Sequence, residues 1–275
     1  MGLSKSSYYY QAHKPIEEQE FEELLKKRIE AIAAEFPGYG QRRIYRQLRR
    51  EQYKVNHKRV ERLVREQNLQ CKQPRAYRVT TNSNHRFPRY PNLIKDIIPT
   101  RINQIWVADI TYIHLVRGFV YLAAILDLFS RKVIGYALSL SLDASFATEA
   151  LQMAIERRCP APGCIHHSDH GVQYAATEYV DVLKEHGLIS SMAKQGSPYE
   201  NAKAESFFKT FKYEEVHLNE YQTVDDVIER TPYFIEQVYN AKRLHSSLGY
   251  VPPNEFELLN VNDQVVEKLL SATTI

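Results

Sequence analysis

From residue 104 to residue 140 the chain runs through three apolar segments, QIWVADITYIHL, GFVYLAAILDLF and RKVIGYALSL, parted only by Arg117-Gly118 and Ser130. They are rich in Ile, Val, Tyr and Phe, which suit a pleated, half-buried surface. Breaks this short leave room for hairpin turns and nothing longer, so the segments predict three consecutive antiparallel strands. The rest of the chain beyond residue 140 must pack on that sheet. Downstream, ASFATEALQMAIERR predicts a helix over about 144–158, CIHHS a short strand over 164–168, and a second helix lies at about 176–186. LISSM predicts another short strand over 188–192, a long helix carrying AKAESFFKTFKYEEV begins after Pro198, and a last helix covers about 223–241. Three strands succeeded by alternating helix and strand make a mixed α/β domain.

Upstream the pattern is helical. Phe21, Leu25, Ile29, Ile32 and Phe36 recur at spacings of three and four and predict an amphipathic helix over 16–36, stopped by Pro37-Gly38. Ile44 and Leu48 mark a second short helix, and Val60, Leu63 and Val64 a third, with a turn near Tyr53–His57 and Asn56 as its N-cap. Two short helices about a tight turn suggest a helix-turn-helix unit. Residues 71–100 carry Pro74, Pro88, Pro91 and Pro99 with little periodicity and suggest an extended linker, basic at Lys72, Arg75, Arg78, Arg86 and Arg89. The expected divisions are a helical segment at 1–35, a basic helix-turn-helix-like domain at 36–70, the linker at 71–100, the α/β domain at 101–260 and a tail at 261–275.

Charge separates these parts. Residues 1–100 hold 21 Lys+Arg against 11 Asp+Glu, whereas residues 101–275 hold 15 against 22. Within 36–90 the ratio is 15 to 3, a density that repels itself unless a polyanion neutralises it. Arg42, Arg43, Lys58, Arg59 and Arg62 are the expected phosphate contacts, and double-stranded DNA the expected partner. No run approaches 18 apolar residues, and the opening MGLSKSSYYYQ lacks a signal peptide's apolar core, so no membrane association and a cytosolic protein are expected. Cys71, Cys159 and Cys164 do not form a disulfide framework, and Cys159, Cys164, His166 and His167 fit no zinc spacing.

Three acidic residues stand where this pattern would expose them. Asp109 lies inside the first strand, in WVADIT, where an uncompensated carboxylate is costly. Asp169 comes directly after the fourth strand, in HHSDHG, at a strand end where ligand groups gather. Glu205 sits on a helix, in NAKAESFF. Converging at one edge of the sheet, the three would form a hard, all-oxygen site suited to Mg²⁺ or Mn²⁺. Two such ions about 3.5–4 Å apart suit in-line displacement at phosphorus.

With these residues the chain resembles the DDE transposase and retroviral integrase superfamily, whose catalytic domain has the ribonuclease H-like fold. Fifty-nine residues separate Asp109 from Asp169, and 35 separate Asp169 from Glu205, the superfamily's spacing. Lys212 stands seven residues beyond Glu205, where the superfamily places a Lys or Arg that contacts DNA. The chain resembles more closely the second reading frame (OrfB) of insertion-sequence transposases. The stretches that carry this are FPGYGQRRIYRQLRRE, VNHKRVERLVRE, WVADITYI, YLAAILDLFSRKVIGYALS, HHSDHGVQY, NAKAESFFKTFKYE and YNAKRLHSSLGYVPPNEF, in that order. Glu200 and Leu244 depart from the usual Asp and Pro of the pattern.

The resemblance implies a ribonuclease H-like catalytic domain, a mixed five-stranded sheet with helices, behind a small all-α helix-turn-helix-like domain. It implies a transposase that cleaves insertion-sequence ends and transfers the freed 3′-hydroxyl to target DNA. Asp109, Asp169 and Glu205 would be its catalytic metal ligands, for two Mg²⁺ ions or alternatively Mn²⁺. A homo-oligomeric synaptic complex and an upstream-frame (OrfA) fusion or partner are implied by the same resemblance. The competing readings are a ribonuclease H-like nuclease that cuts without joining, and a non-catalytic DNA-binding regulator or inhibitory fragment.

Overall fold

A computed structural model of the chain describes residues 16–71, 90–116, 118–193, 202–219 and 221–260. The chain divides into two compact units, residues 1–72 and 73–275. The basic positions Lys72 to Arg89, the start at Pro198, Glu200 and the tail at 261–275 lie outside the described residues.

Among the described residues the first unit holds three helices: α1 (Ile16–Glu35), α2 (Gln41–Arg50) and α3 (His57–Glu66). The apolar spacing is realised in its core, where Leu25, Ile29 and Ile32 pack with Ile44, Leu48, Val60, Leu63 and Val64, all buried. The stop at Pro37-Gly38 is closed by Tyr39, which stacks on Phe36 at 4.5 Å. Asn56 caps α3, its side chain accepting from the Lys58 N–H at 3.0 Å. One position departs from the apolar stripe: Phe21 is only half-buried, and Glu22 beside it is buried. A buried carboxylate needs compensation. Arg59 donates to Glu22 at 3.0 Å and Arg62 at 2.9 Å, and the Arg59 guanidinium covers the Phe21 ring at 5.5 Å.

In the second unit the three apolar segments form β1 (Ile105–His114), β2 (Phe119–Asp127) and β3 (Val133–Ser139), an antiparallel meander. After α4 (Ser145–Arg158), strand β4 (Ile165–Ser168) lies parallel to β1. After α5 (Thr177–Glu185), β5 (Ile189–Met192) lies parallel to β4. The sheet order is β3-β2-β1-β4-β5, the mixed five-stranded sheet of the ribonuclease H-like fold. Strand alternation sends β1 side chains to two cores. Trp106, Ala108 and Ile110 pack with Phe146, Ala150, Leu151 and Ala154 of α4 and with Tyr179 and Leu183 of α5. Ile105, Val107 and Ile113 pack under α6 (Ala202–Phe211), with Ala204, Phe207, Phe208 and Phe211, and under Val227 of α7 (Val224–Tyr233). Each fully buried side chain of this size contributes about 1.5–3 kcal/mol.

Two expectations change at the edges. Residues 90–100, expected as linker, are partly packed: the Leu93 N–H donates to Ser191 Oγ at 2.9 Å, and Ile94 is buried in the α6-side core. Prolines forbid a helix there but allow an extended strap along a sheet edge. The helices expected after Pro198 and over 223–241 are each interrupted by a wide π turn, Lys212–Val216 and Phe234–Asn240. Among the described residues no helix is long and apolar enough to cross a membrane.

Candidate active site

Strand register brings the first two carboxylates together. Ile105, Trp106 and Val107 pair with Ile165, His166 and His167, a constant offset of 60 residues. Asp109 and Asp169 carry the same offset, each two residues past the last paired couple, with Asp109 still within β1 and Asp169 one residue beyond β4. Asp109 lies opposite Ala124 of β2, on the face of β1 that carries Ile105, Val107 and Ile113. That face is the one α6 covers, and α6 carries Glu205.

Local hydrogen bonds hold each strand carboxylate. Asp109 Oδ1 accepts from the Ile110 N–H at 2.8 Å. Asp169 Oδ1 accepts from the Gly171 N–H at 2.9 Å. Space is tight beside Asp169, because a Cβ on Gly171 would lie 3.0 Å from that oxygen. Glu205 Oε2 lies 3.6 Å from the ammonium of Lys209, an exposed neighbour one turn along α6.

The electrostatics link the three acids and one base. Burial, and then the negative charge of Asp169, push the Asp109 carboxyl well above the ordinary carboxylate range. The Ile110 N–H opposes this, Glu205 adds to it, and Lys212 works against it. Lys212 is held below the ordinary ammonium value by burial, against the attraction of Asp109. Its Nζ stands 4.5 Å from the centre of the Tyr112 ring, a cation–π contact on the strand that carries Asp109.

This donor set fits a hard divalent cation: all oxygen, acidic, and with carboxylates whose mutual repulsion a cation relieves. Among the described residues no three His, Cys, Asp or Glu side chains are gathered tightly enough to make a ready-formed ion site. The charges of Asp169 and Glu205 are nonetheless both felt at Asp109, which puts the three acids in one neighbourhood.

The basic residues expected from the sequence to grip phosphate divide into two groups. Arg42 and Lys58 are exposed, and Arg43 is half-buried with its guanidinium 5.7 Å from the Tyr39 ring. Arg59 and Arg62 are engaged by Glu22, and Arg62 also by Glu66 at 2.8 Å, so part of their charge is already balanced within the unit. Arg46 and Arg49, exposed on α2, were not among the expected contacts. Their spacing of four and seven from Arg42 places all three on one helical face, which the sequence alone could have shown.

Family models and curated relatives match most of the chain. An HTH-like domain model matches residues 20–77, and Integrase core domain models match residues 99–198 and 186–253. The chain is 38% identical over 258 residues to the insertion element IS600 uncharacterized 31 kDa protein of Shigella sonnei, covering 93% of this chain and 95% of that one. It is 35% identical to the transposase for insertion sequence element IS904 of Lactococcus lactis, covering 90% and 98%. It is 38% identical to transposase InsF for insertion sequence IS3A of Escherichia coli, covering 81% and 78%. Among solved structures, the catalytic core domain of BIV integrase matches at 18% identity and a TM-score of 0.44, over 59% of this chain and 99% of that one. On the relatives' identity and coverage, the chain belongs to the insertion-sequence transposases, enzymes of the transposase and integrase superfamily with an integrase core behind a helix-turn-helix-like domain.

Proposed function

We propose that this transposase cleaves insertion-sequence ends and transfers the resulting 3′-hydroxyl strand to target DNA at a site formed by Asp109, Asp169 and Glu205. The observation that carries this is the common register of Asp109, within β1, and Asp169, one residue past β4, with the Asp109 carboxyl raised by burial and then by Asp169 and Glu205. Acidic groups that feel one another's charge, one of them buried in a strand, are expensive for the fold alone, and they suit a site for cations. Asp109, Asp169 and Glu205 would hold two Mg²⁺ ions, or Mn²⁺. When bound, such ions supply activation of the attacking oxygen and stabilisation of the leaving one. The chain's own groups do the positioning. The two aspartates fix the site from the sheet, and Glu205 closes it from α6. Lys212, half-buried over Tyr112, places a cation beside the acids where a scissile or neighbouring phosphate must lie.

DNA is held elsewhere as well. Arg42 and Lys58 are exposed and suited to phosphate contact, while Arg43, Arg59 and Arg62 would contribute from partly compensated positions. A homo-oligomeric synaptic complex, an upstream-frame (OrfA) fusion or partner, and a cytoplasmic site of action belong to the same reading.

The test is strand transfer on labelled element-end DNA with Mg²⁺, comparing wild type with Glu205→Gln. Metal-dependent joined product from the wild type alone supports the assignment. Cleaved but never joined ends would point to a nuclease. Tight, salt-sensitive binding with neither product would point to a non-catalytic regulator.

A further inference from the structure

The segment YNAKRLHSSLGY takes no part in the chemistry above, yet one of its residues is tied to the π turn that begins at Lys212. Arg243 is 4% exposed and Glu214 is 8% exposed. Arg243 Nε donates to Glu214 Oε2 and Nη2 to Glu214 Oε1, both at 2.7 Å, a two-pronged pair across 29 residues of sequence. The next carboxylate, Glu215, is held in the same manner. Arg230 Nε donates to its Oε1 at 2.6 Å, and the Tyr221 hydroxyl donates to the same oxygen at 2.8 Å.

Both carboxylates lie in the π turn Lys212–Val216, whose first residue is Lys212. A π turn inserts one residue into a helix and so rotates the turns before it against the turns after it by about 100°. An ordinary helix would continue past Phe211 without it. Buried ion pairs of this kind add little net stability, because desolvation offsets their attraction, but their forked geometry is directional. The pairs therefore define where the turn sits, and the turn defines where the Lys212 ammonium points, 4.5 Å over Tyr112.

We propose that Arg243 and Arg230 are positioning residues for strand joining: by holding Glu214 and Glu215 they fix the π turn that aims Lys212 at a DNA phosphate beside the acidic site. This rests on the function proposed above for Lys212. The signature is coupling to Lys212, which a merely structural pair would not show.

The experiment measures the dependence of end-DNA affinity on salt, together with KM and kcat for joining, in the full chain. In the wild-type background Lys212→Ala is expected to reduce the slope of log affinity on log salt by about 0.9, the share of one phosphate contact. Removing Arg243 alone strands a buried carboxylate, so the clamp is removed as Glu214→Gln/Arg243→Met. The second pair, whose Arg230 side chain is 43% exposed, is removed in the same way as Glu215→Gln/Arg230→Gln should the first variant fail to fold. In either background the slope is expected to be already reduced, KM to rise more than kcat falls, and Lys212→Ala to change nothing further. An undiminished Lys212→Ala effect in these backgrounds overturns the proposal, whatever the melting temperature does. So does a Lys212→Ala effect absent from the wild type. A wild type that joins DNA but shows no coupling overturns the clamp alone, whereas a wild type that joins nothing overturns the function on which it rests.

Discussion

Gly171 illustrates how much of the site is decided by single residues. Its φ of −63° is open to any amino acid, so its role is room rather than backbone freedom. A methyl group there would sit 3.0 Å from Asp169 Oδ1 and 3.2 Å from Gln173 Oε1. Gly171→Ala should therefore fold with an unchanged melting temperature and still lose about ten- to a hundred-fold in joining rate, as displaced ligand groups commonly do. An unchanged rate would show that the carboxylate has slack. His166, two positions before the end of β4, makes a different prediction. It is buried, its Nε2 lies 2.8 Å from the Tyr179 hydroxyl, and burial, then the neighbouring His167, bring its imidazole down to about 3. The unfolded chain takes up this proton below about 6.5, but the folded chain resists until far lower. Stability should thus fall as pH drops through that window, by about 1.4 kcal/mol per unit from this group. Urea unfolding at pH 7 and pH 5 measures it, and His166→Gln should show the shallower acid loss. Asp109 was legible in the sequence because a charge inside an apolar strand contradicts its surroundings. The burial of Glu22 was not, because its cause lies 37 and 40 residues away in Arg59 and Arg62.

Elements were legible to the extent that their causes are local. The three strands of the meander arise from apolar runs rich in Ile, Val, Tyr and Phe and from short breaks. The register that leads to Asp109 on one side and Asp169 on the other arises from β1 and β4 lying parallel, which no spacing within either strand reveals. The π turns were invisible for the same reason, since Glu214 and Glu215 look like ordinary surface acids until Arg243 and Arg230 arrive from downstream. The packing of α4 on β3 is intermediate. Gly135 within VIGYAL signals close approach, and a Cβ there would meet the Ala150 carbonyl oxygen at 2.2 Å and Ala154 Cβ at 2.8 Å. Backbone and a short side chain leave no flexible end to move aside. Gly135→Ala is expected to destabilise the second unit by at least about 1–3 kcal/mol, read as a lower urea midpoint with an unchanged slope. A midpoint equal to wild type would mean that α4 shifts without cost.

For the molecule as a whole, charge sets a problem that the site must solve. Residues 1–72 hold 16 Lys+Arg against 10 Asp+Glu, and residues 73–275 hold 20 against 23. The unit that performs the chemistry is therefore slightly acidic and yet must approach a polyanion. Its Asp109 carboxyl is raised first by burial and then by the charges of Asp169 and Glu205, so its acids also repel one another. Repulsion of this kind lowers the stability of the fold by itself and is relieved by a bound cation, so function and stability pull in opposite directions at this residue. Opposite signs are expected from one substitution. Asp109→Asn removes a buried acid that is costly to ionise and should melt at or above the wild-type temperature in the presence of a chelator. Adding Mg²⁺ or Mn²⁺ should then raise the wild-type melting temperature, since a ligand held at a hundred times its dissociation constant contributes about 2.7 kcal/mol. The same addition should leave Asp109→Asn nearly unmoved. DNA affinity measured in chelator should be similar in the two proteins, because the exposed basic residues of the first unit are untouched. Equal stabilisation of both by the metal would place the ions away from Asp109, and a lower melting temperature for the metal-free variant would mean that Asp109 serves the fold as well as the chemistry.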